Sequence, residues 1–296
     1  MIFFLKRLRK NGGCSFILIV DENKKILFVV NKTKPSAELI AEKLSRLAVE
    51  NGMAAEICSD FPVPEEAFKN KDICCVIGGD GTILSCVPSI AKFDLPVFGI
   101  NLGKLGFLAT YTDEISPKEF MSLVRGERRV LERALLEATC QGKKYLALND
   151  LVFKDLRLDG ISKFSIFADK EFIATYAGDG LIFSTPTGST AYNLSAGGPI
   201  IHPKGRVFVM TPICPHTLSN RSLIYDYGAL IKIVCVSGES ALIADGKKVA
   251  TLTRGSEVEI SMPSNTLKFV RLRGHSHFAI LRSKLGWAED PRRYEK

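Results

Sequence analysis

A glycine-rich loop with one carboxylate has the clearest chemical meaning in this chain of 296 residues. The loop comprises Gly78, Gly79, Asp80, Gly81 and Thr82, and it directly follows the apolar run 73–77. The run predicts a buried strand, and the residues after the loop predict a helix. Backbone N–H groups at the start of a helix bind phosphate, and glycine lets the backbone approach a ligand closely. The loop therefore predicts a phosphate-binding turn between a strand and a helix.

The carboxylate of Asp80 does not suit a plain phosphate cradle, because a negative charge repels phosphate. It suits a group that binds Mg²⁺ or accepts a proton from an attacking hydroxyl. The loop therefore predicts phosphoryl transfer to an alcohol, with Asp80 as the catalytic residue. On these five residues alone, a tight turn with a solvated aspartate remains the alternative.

Three other polar stretches are candidates for ligand contacts. Asn149 and Asp150 stand side by side at the edge of a predicted strand, where they can hold two adjacent ribose hydroxyls. Asp179 lies between two glycines and forms the acidic tip of a predicted turn. Residues 185–192 pack hydroxyl side chains into a turn that opens a helix, where Tyr192 could stack on a base. Plain turns and a well-capped helix are the alternatives for these stretches.

The composition is that of an ordinary globular protein with a mildly basic surface. The chain has 46% hydrophobic and 24% charged residues and a net charge of +8. This charge suits anionic small substrates such as nucleotides, and the scattered basic residues do not indicate a nucleic-acid partner. Because no apolar stretch approaches the ~18 residues of a membrane span, we expect no membrane association.

The cysteines indicate a reducing compartment. None of the eight forms a C-x-x-C pair, and two of them lie in the apolar run 73–77. Their spacing fits neither a disulfide framework nor a zinc site, and a free cysteine in a buried strand behaves as a small hydrophobic residue. The sequence therefore predicts a cytoplasmic protein.

The chain divides into parts with different hydrophobic patterns. From 24 to 125, apolar runs alternate with helical patterns, including a helix with Ser36 as N-cap, which predicts a parallel, Rossmann-like sheet with helices on both faces. From 126 to 264, short alternating runs such as 133–139 and 144–153 predict an all-β, sandwich-like domain. Residues 1–23 form an N-terminal extension of unclear role. No G-x-G-x-x-G fingerprint or Walker loop occurs, which disfavours a dehydrogenase with a standard nucleotide fold.

These motifs, together with the glycine-spaced stretch 99–108 and the stretch 215–221, occur in the same order as in NAD kinases. The chain resembles that family from about residue 24 to about residue 285. The glycine loop alone is shared with diacylglycerol and sphingosine kinases, whereas the stretch 185–192 is much more specific. The resemblance therefore favours NAD kinase over a lipid kinase or a non-catalytic dinucleotide sensor, which are the other candidate functions.

The resemblance implies a mechanism and an architecture. NAD kinases transfer the γ-phosphoryl of ATP, with Mg²⁺ or another divalent metal, to the 2′-hydroxyl of the adenosine ribose of NAD. By this match Asp80 is the general base, and the active site is the cleft between the two domains. The segment 265–296 is expected to return to the α/β domain. Inorganic polyphosphate is the alternative phosphoryl donor.

The resemblance also assigns substrate contacts and a partner. Asn149 and Asp150 hold ribose, residues 190–195 line the adenine and ribose pocket, and Asp179 reaches the nicotinamide end of NAD on a neighbouring subunit of a homodimer or homotetramer. No residue is assigned to a metal. The complete set of expected substrate-binding residues is Gly78, Gly79, Gly81, Thr82, Asn149, Asp150, Ala177, Asp179, Thr190, Ala191, Tyr192, Asn193, Leu194, Ser195 and Lys247.

Three of these positions depart from the family pattern. Asp150 stands where many members have glutamate. Its side chain is one methylene shorter, so its ribose contact is expected to be water-mediated, with the charge kept. Ala177 stands where many members have a basic residue, which bears on the choice between NAD and NADH. Lys247 replaces a glutamine, and it either adds charge near the dinucleotide or points to solvent.

Overall fold

A computed structural model describes residues 24–103, 106–156, 161–216, 221–274 and 276–287. The predicted extension 1–23 lies outside these ranges. Within them the chain forms an α/β domain and an antiparallel β domain, which confirms the predicted fold class. No helix among these residues is long and apolar enough to cross a membrane.

The α/β domain is built mainly from strands that alternate with helices along the chain. Its elements are β1 (Lys25–Val30), α1 (Ala37–Glu50), β2 (Ala54–Cys58), β3 (Ile73–Gly78), α2 (Asp80–Lys92), β4 (Val97–Asn101), β5 (Tyr111–Thr112), α3 (Pro117–Arg125) and β6 (Arg129–Arg133), with a 3₁₀ turn at Glu65–Phe68. Ser36 is the N-cap of α1 as expected, although it has φ 64° and its side chain makes no capping hydrogen bond.

The second domain contains twelve strands within the described residues. They are β7 (Leu136–Cys140), β8 (Lys143–Ala147), β9 (Asp150–Asp155), β10 (Ser162–Ala168), β11 (Glu171–Gly178), β12 (Gly180–Ser184), β13 (Val207–Ile213), β14 (Leu223–Asp226), β15 (Ile231–Ser237), β16 (Ser240–Ala244), β17 (Lys247–Leu252) and β18 (Glu257–Ser261). A 3₁₀ turn at Gly188–Thr190 and the short α4 (Tyr192–Ser195) follow β12. The chain then forms β19 (Leu267–Arg271) and α5 (His277–Leu285).

The first sheet combines the start and the end of the chain. Its strand order is β2-β1-β3-β4-β19-β6, with β5 paired to β4. Strand β19 is parallel to β4 and antiparallel to β6, so the C-terminal segment returns to the first domain as the resemblance implied. Strand β6 also belongs to this sheet although it follows residue 126. The expected single strand over 133–139 is divided, because Arg133 ends β6 in this sheet and β7 belongs to a sheet of the second domain. The domain boundaries given above remain predictions.

The second domain is a sandwich of two six-stranded sheets, with strand orders β11-β10-β15-β18-β7-β8 and β14-β13-β12-β9-β16-β17. Alternate residues of β9 face the shared core, where the Phe153 ring lies 5.8 Å from Phe164 and 5.9 Å from Phe183. The intervening Val152 lies with Ile182 on the opposite face of the same sheet. Val152 and Ile243 of this outer face line the cavity described below.

Helix α2 is packed between the two domains. Its apolar residues Ile83 and Val87 share one buried cluster with Leu135 and Leu148 of the β domain. Because Asn149 and Asp150 directly follow Leu148, this cluster fixes the start of β9 beside the helix that Asp80 begins. The packing of one helix thus brings together two motifs that are about seventy residues apart in the sequence.

Candidate active site

The glycine loop has the geometry that its sequence predicts. Strand β3 ends at Gly78, Gly79 is extended, and Asp80 is the first residue of α2. The N–H groups of Thr82 and Ile83 donate to the Gly79 carbonyl at 3.0 and 3.3 Å, which closes the first turn of the helix. The positive end of the α2 dipole therefore lies at the loop, where it favours an anionic ligand.

The Asp80 carboxylate is held by the stretch that follows β4. Its Oδ2 accepts the N–H of Phe107 at 2.9 Å, and its Oδ1 accepts the N–H groups of Leu108 and Ala109 at 3.2 and 2.8 Å. Three charge-assisted hydrogen bonds fix the position of this half-buried side chain. Because Oδ2 accepts only one of them, it has a lone pair available for a further donor such as a substrate hydroxyl.

Two glycines near Asp80 serve different purposes. A Cβ on Gly106 would overlap the Asp80 carboxylate, so only glycine allows the stretch 106–109 to approach this closely. A Cβ on Gly81 would meet nothing within 4 Å. The space above Gly81, in the first turn of α2, is therefore open to a ligand.

A cavity of about 380 Å³ lies between α2 and the outer face of the β domain. Leu84 lines it from α2, one helical turn after Asp80 and on the same side of the helix. Its size suits a nucleoside-sized part of a ligand. The complete lining is Leu84, Asn149, Asp150, Val152, Lys154, Ala191, Tyr192, Ile243, Asp245 and Gly246.

Two carboxyl groups meet at the wall of this cavity. Asp245 Oδ1 accepts the N–H groups of Asn149 and Asp150 at 2.7 and 3.2 Å, and its Oδ2 accepts the N–H of Leu148 at 2.8 Å. These bonds interrupt the strand predicted over 144–153, because the N–H groups of 148–150 point to Asp245. Burial raises the pKa of Asp245 to about 6, although the three N–H donors oppose the shift.

Asp150 is the more buried member of this pair, with 6% of its surface exposed. Burial, and then the charge of Asp245, raise the pKa of Asp150 to about 7. Within the described residues its side chain makes no hydrogen bond, so its carboxyl group is available to a ligand in the cavity. A carboxyl that is partly protonated at neutral pH can both donate to and accept from a sugar hydroxyl.

The turn after β12 is held by internal hydrogen bonds. Thr185 Oγ1 donates to the Leu148 carbonyl at 2.5 Å and accepts the Gly188 N–H at 3.0 Å. The Asn193 amide is fully buried: its Nδ2 donates to Ser189 O at 3.1 Å, and its Oδ1 accepts from Thr211 at 2.7 Å. In this structure Asn193 therefore supports the turn from inside, while Tyr192 is exposed on the cavity side.

The structure brings some of the expected binding residues together and leaves others apart. Asn149, Asp150, Ala191 and Tyr192 line one cavity. Thr190 and Leu194 are half-buried near it, Ser195 is exposed, and Lys247 is exposed on β17 outside the cavity lining. Sequence reasoning missed Asp245 and Lys154 as cavity residues. The only local signal for Asp245 is the Asp-Gly turn it begins, where its φ is 47°.

Ala177 lies near the end of β11 in the other sheet of the sandwich, and Asp179 lies between β11 and β12, at the far end of β9 from Asp150. The Asp179 carbonyl accepts the N–H of Asp155, whereas Asp150 begins the same strand β9. Five residues of strand separate these ends by roughly 16 Å. The Ala177 carbonyl accepts the His216 N–H at 3.0 Å. Within the stretch 215–221, residues 217–220 lie outside the described residues.

The fold and the site define a class of protein: a two-domain phosphotransferase with a glycine turn beside a nucleoside-sized cavity. The family model "ATP-NAD kinase N-terminal domain" matches residues 62–127, and the model "ATP-NAD kinase C-terminal domain" matches residues 148–272. The NAD kinase of Lachnoclostridium phytofermentans is 34% identical over 89% of this chain and 99% of its own length. That of Caldicellulosiruptor saccharolyticus is 40% identical over 73% of this chain and 85% of its own length. The chain therefore belongs to the NAD kinase family.

Solved structures agree with this assignment. The structure of yeast NADH kinase complexed with NADH has a TM-score of 0.77 and 25% identity, covering 90% of this chain and 89% of that one. The NAD kinase of Archaeoglobus fulgidus in complex with ATP has a TM-score of 0.73 and 24% identity, covering 89% and 98%. The second similarity shows the shared fold.

Proposed function

We propose that this chain transfers the γ-phosphoryl of ATP to the 2′-hydroxyl of the adenosine ribose of NAD, which gives NADP. Family membership supports the proposal. The observation that carries it is the cavity in which Asn149, Asp150 and Tyr192 lie beside the helix that Asp80 begins. This arrangement suits a nucleoside held next to a phosphate-binding turn.

Asp80 acts as the general base in this proposal. The ribose oxygen bonds to the γ-phosphorus, the bond from phosphorus to the bridging oxygen of ADP breaks, and the hydroxyl proton moves to Asp80 Oδ2. The transition state of phosphoryl transfer is loose, so positioning contributes as much as proton removal. The three N–H donors to the carboxylate supply that positioning.

Asn149 and Asp150 hold the ribose hydroxyls, and Tyr192 stacks on the adenine. The backbone of residues 190–195 frames the same pocket, and buried Asn193 maintains its shape. Lys154 is the only cationic residue in the described cavity lining, and it suits a phosphate of the dinucleotide. We assign Gly78, Gly79, Gly81 and Thr82 to the ATP phosphates because they form the turn from the end of β3 into the start of α2.

Mg²⁺ is proposed to arrive with ATP. Within the described residues, no group of three or more His, Cys, Asp or Glu side chains could hold a metal ion. Mg²⁺ is commonly bound through substrate phosphates and one or two carboxylates, and this fits a site with one carboxylate at the phosphate turn. When bound, the ion neutralises charge that develops on the phosphoryl group.

The remaining assignments concern assembly and location. Asp179 is exposed about 16 Å from Asp150 by the strand estimate above, which fits a contact with NAD on a neighbouring subunit of a homodimer or homotetramer. Ala177 and Lys247 are kept as substrate-contact positions on the resemblance alone. A cytoplasmic location is supported by seven described cysteines that are all free thiols.

The proposal is tested by incubating the purified protein with Mg²⁺, NAD and ATP and coupling NADP formation to an NADP-specific dehydrogenase. Parallel reactions replace ATP with polyphosphate, NAD with NADH, and NAD with diacylglycerol. Formation of NADP or NADPH supports the proposal and identifies the donor. Phosphorylation of diacylglycerol alone would make the chain a lipid kinase, and dinucleotide binding without phosphorylation would make it a sensor.

A further inference from the structure

The returning strand β19 contacts the same stretch that holds Asp80. Arg271, the last residue of β19, donates from Nη2 to the Phe107 carbonyl at 2.9 Å. The N–H of the same residue, Phe107, donates to the Asp80 carboxylate. The backbone of Phe107 thus links the guanidinium of Arg271 to Asp80, the proposed base. The two side chains are almost two hundred residues apart in the sequence.

A second hydrogen bond joins the same two segments. The N–H of Leu272 donates to the Tyr111 hydroxyl at 2.9 Å. Tyr111 begins β5 and is separated from the stretch 106–109 only by Thr110. Within that stretch the Gly106 N–H donates to the Ala109 carbonyl at 3.1 Å. The end of β19 therefore holds both sides of the short loop whose N–H groups bind Asp80.

The environment of Arg271 favours a positioning role. Only 4% of its surface is exposed, and Nε has no hydrogen-bond partner among the described residues. Burial lowers the pKa of the guanidinium, while electrostatic interactions with Tyr111 and Asp80 oppose this shift. The guanidinium is therefore buried near Asp80 and bonded to the carbonyl of the loop. It is placed to hold the loop in position and is shielded from solvent.

We propose that Arg271 is a positioning residue that orients the general base Asp80 through the Phe107 carbonyl and the N–H groups of residues 107–109. This inference rests on the proposed function, because it assumes that Asp80 is the base. It makes the position of the base depend on the C-terminal segment that returns from the β domain. The placement of the two domains and the geometry of the base are then set by one strand.

The main variant is Arg271→Met, and Arg128→Met is the matched control. Arg128 is a half-buried arginine that, like Arg271, donates to backbone carbonyls, at Leu123 and Val124, but it lies just after α3. We expect Arg271→Met to lower kcat by about 10- to 100-fold while KM for NAD and ATP changes less than about threefold, because a misplaced base slows the chemical step. Arg128→Met should leave kcat within about twofold of wild type.

A double mutant tests whether the effect passes through Asp80. If Arg271 acts only through the base, Arg271→Met should lower kcat by less than about twofold in an Asp80→Asn background, because coupled residues are not additive. An equal loss in both backgrounds would overturn the proposal. So would a rise in KM for ATP of tenfold or more at unchanged kcat, since Arg271 would then bind the substrate phosphates directly.

Amide hydrogen exchange gives a readout that does not need activity. The N–H groups of residues 107–109 should exchange about tenfold faster in Arg271→Met than in wild type, and unchanged exchange would contradict the proposal. Fast exchange together with an active Asp80→Asn enzyme would keep the loop contact but reject Asp80 as the base. If Arg271→Met does not fold, Arg271→Lys replaces it. Lysine keeps the charge without the planar fork, so smaller changes in the same direction are expected.

Discussion

Replacing the Asp150 carboxyl with an amide removes an ionisation that the fold makes unfavourable. Burial and the charge of Asp245 raise the pKa of Asp150 from 3.8 to about 7. Because the folded state binds this proton more tightly than the unfolded state, the contribution of Asp150 to stability is fully present at low pH and is lost as the pH rises between the two pKa values. Asp150→Asn should therefore become more stable than wild type as the pH increases.

The magnitude follows from the shift. One pKa unit corresponds to about 1.4 kcal/mol, so between about pH 5 and about pH 8 the difference in unfolding free energy should move by about 2 to 3 kcal/mol in favour of Asp150→Asn. Urea unfolding of both proteins at several pH values measures this difference directly. Asp226→Asn, which changes an exposed aspartate on β14, is the control and should show no such trend. A pH-independent difference for Asp150→Asn would refute the argument that this carboxyl is buried beside a second one.

Three glycine substitutions, one of them a control, test the geometry around Asp80. Gly106→Ala should lower kcat at least about tenfold, because the new methyl group overlaps the Asp80 carboxylate. Gly103→Ala, in the same connecting stretch, has its nearest neighbour at 4.0 Å and should leave kcat unchanged; equal kinetics of the two variants would contradict this reading. Gly81→Ala should raise KM for ATP about tenfold without lowering the melting temperature, because its methyl group meets only open space and alanine favours a helix by about 1 kcal/mol. An unchanged KM would show that the ATP phosphates do not occupy this space.

The local parts of the fold could be predicted from the sequence because their signals are local. The apolar run before Gly78 and the periodicity after it are enough to place a strand and a helix around the loop. The apolar run of β9 similarly predicts a buried strand. These features depend on residues within one turn or one strand of each other.

The parts that could not be predicted from local patterns depend on long-range contacts. The break between β8 and β9 exists because N–H groups at 148–150 bond to Asp245, more than ninety residues later. Nothing in the run 144–153 reveals that partner. The side-chain amide of Asn193 could equally bind a ligand, judged from its residue type. Only its hydrogen bonds to surrounding carbonyls and to Thr211 show that it faces the protein interior.

The membership of strands in sheets is a second long-range property. Strand β19 lies between β4 and β6 in the first sheet, although its alternation is the same as that of the preceding strands of the sandwich. Its return was expected from the resemblance to a family and not from the pattern itself. The contact between Arg271 and Phe107 follows from this return, so periodicity could not have indicated it.

The most direct test of the central claim is the turnover of Asp80→Asn compared with its binding of NAD. The substitution keeps the size of the side chain but replaces one carboxylate oxygen with a donor, so it removes the base while leaving the cavity intact. We predict that NADP formation falls by at least about 100-fold while the dissociation constant for NAD, measured by calorimetry, stays within about threefold of wild type. NADP formation near the wild-type rate would contradict the assignment of Asp80 as the general base.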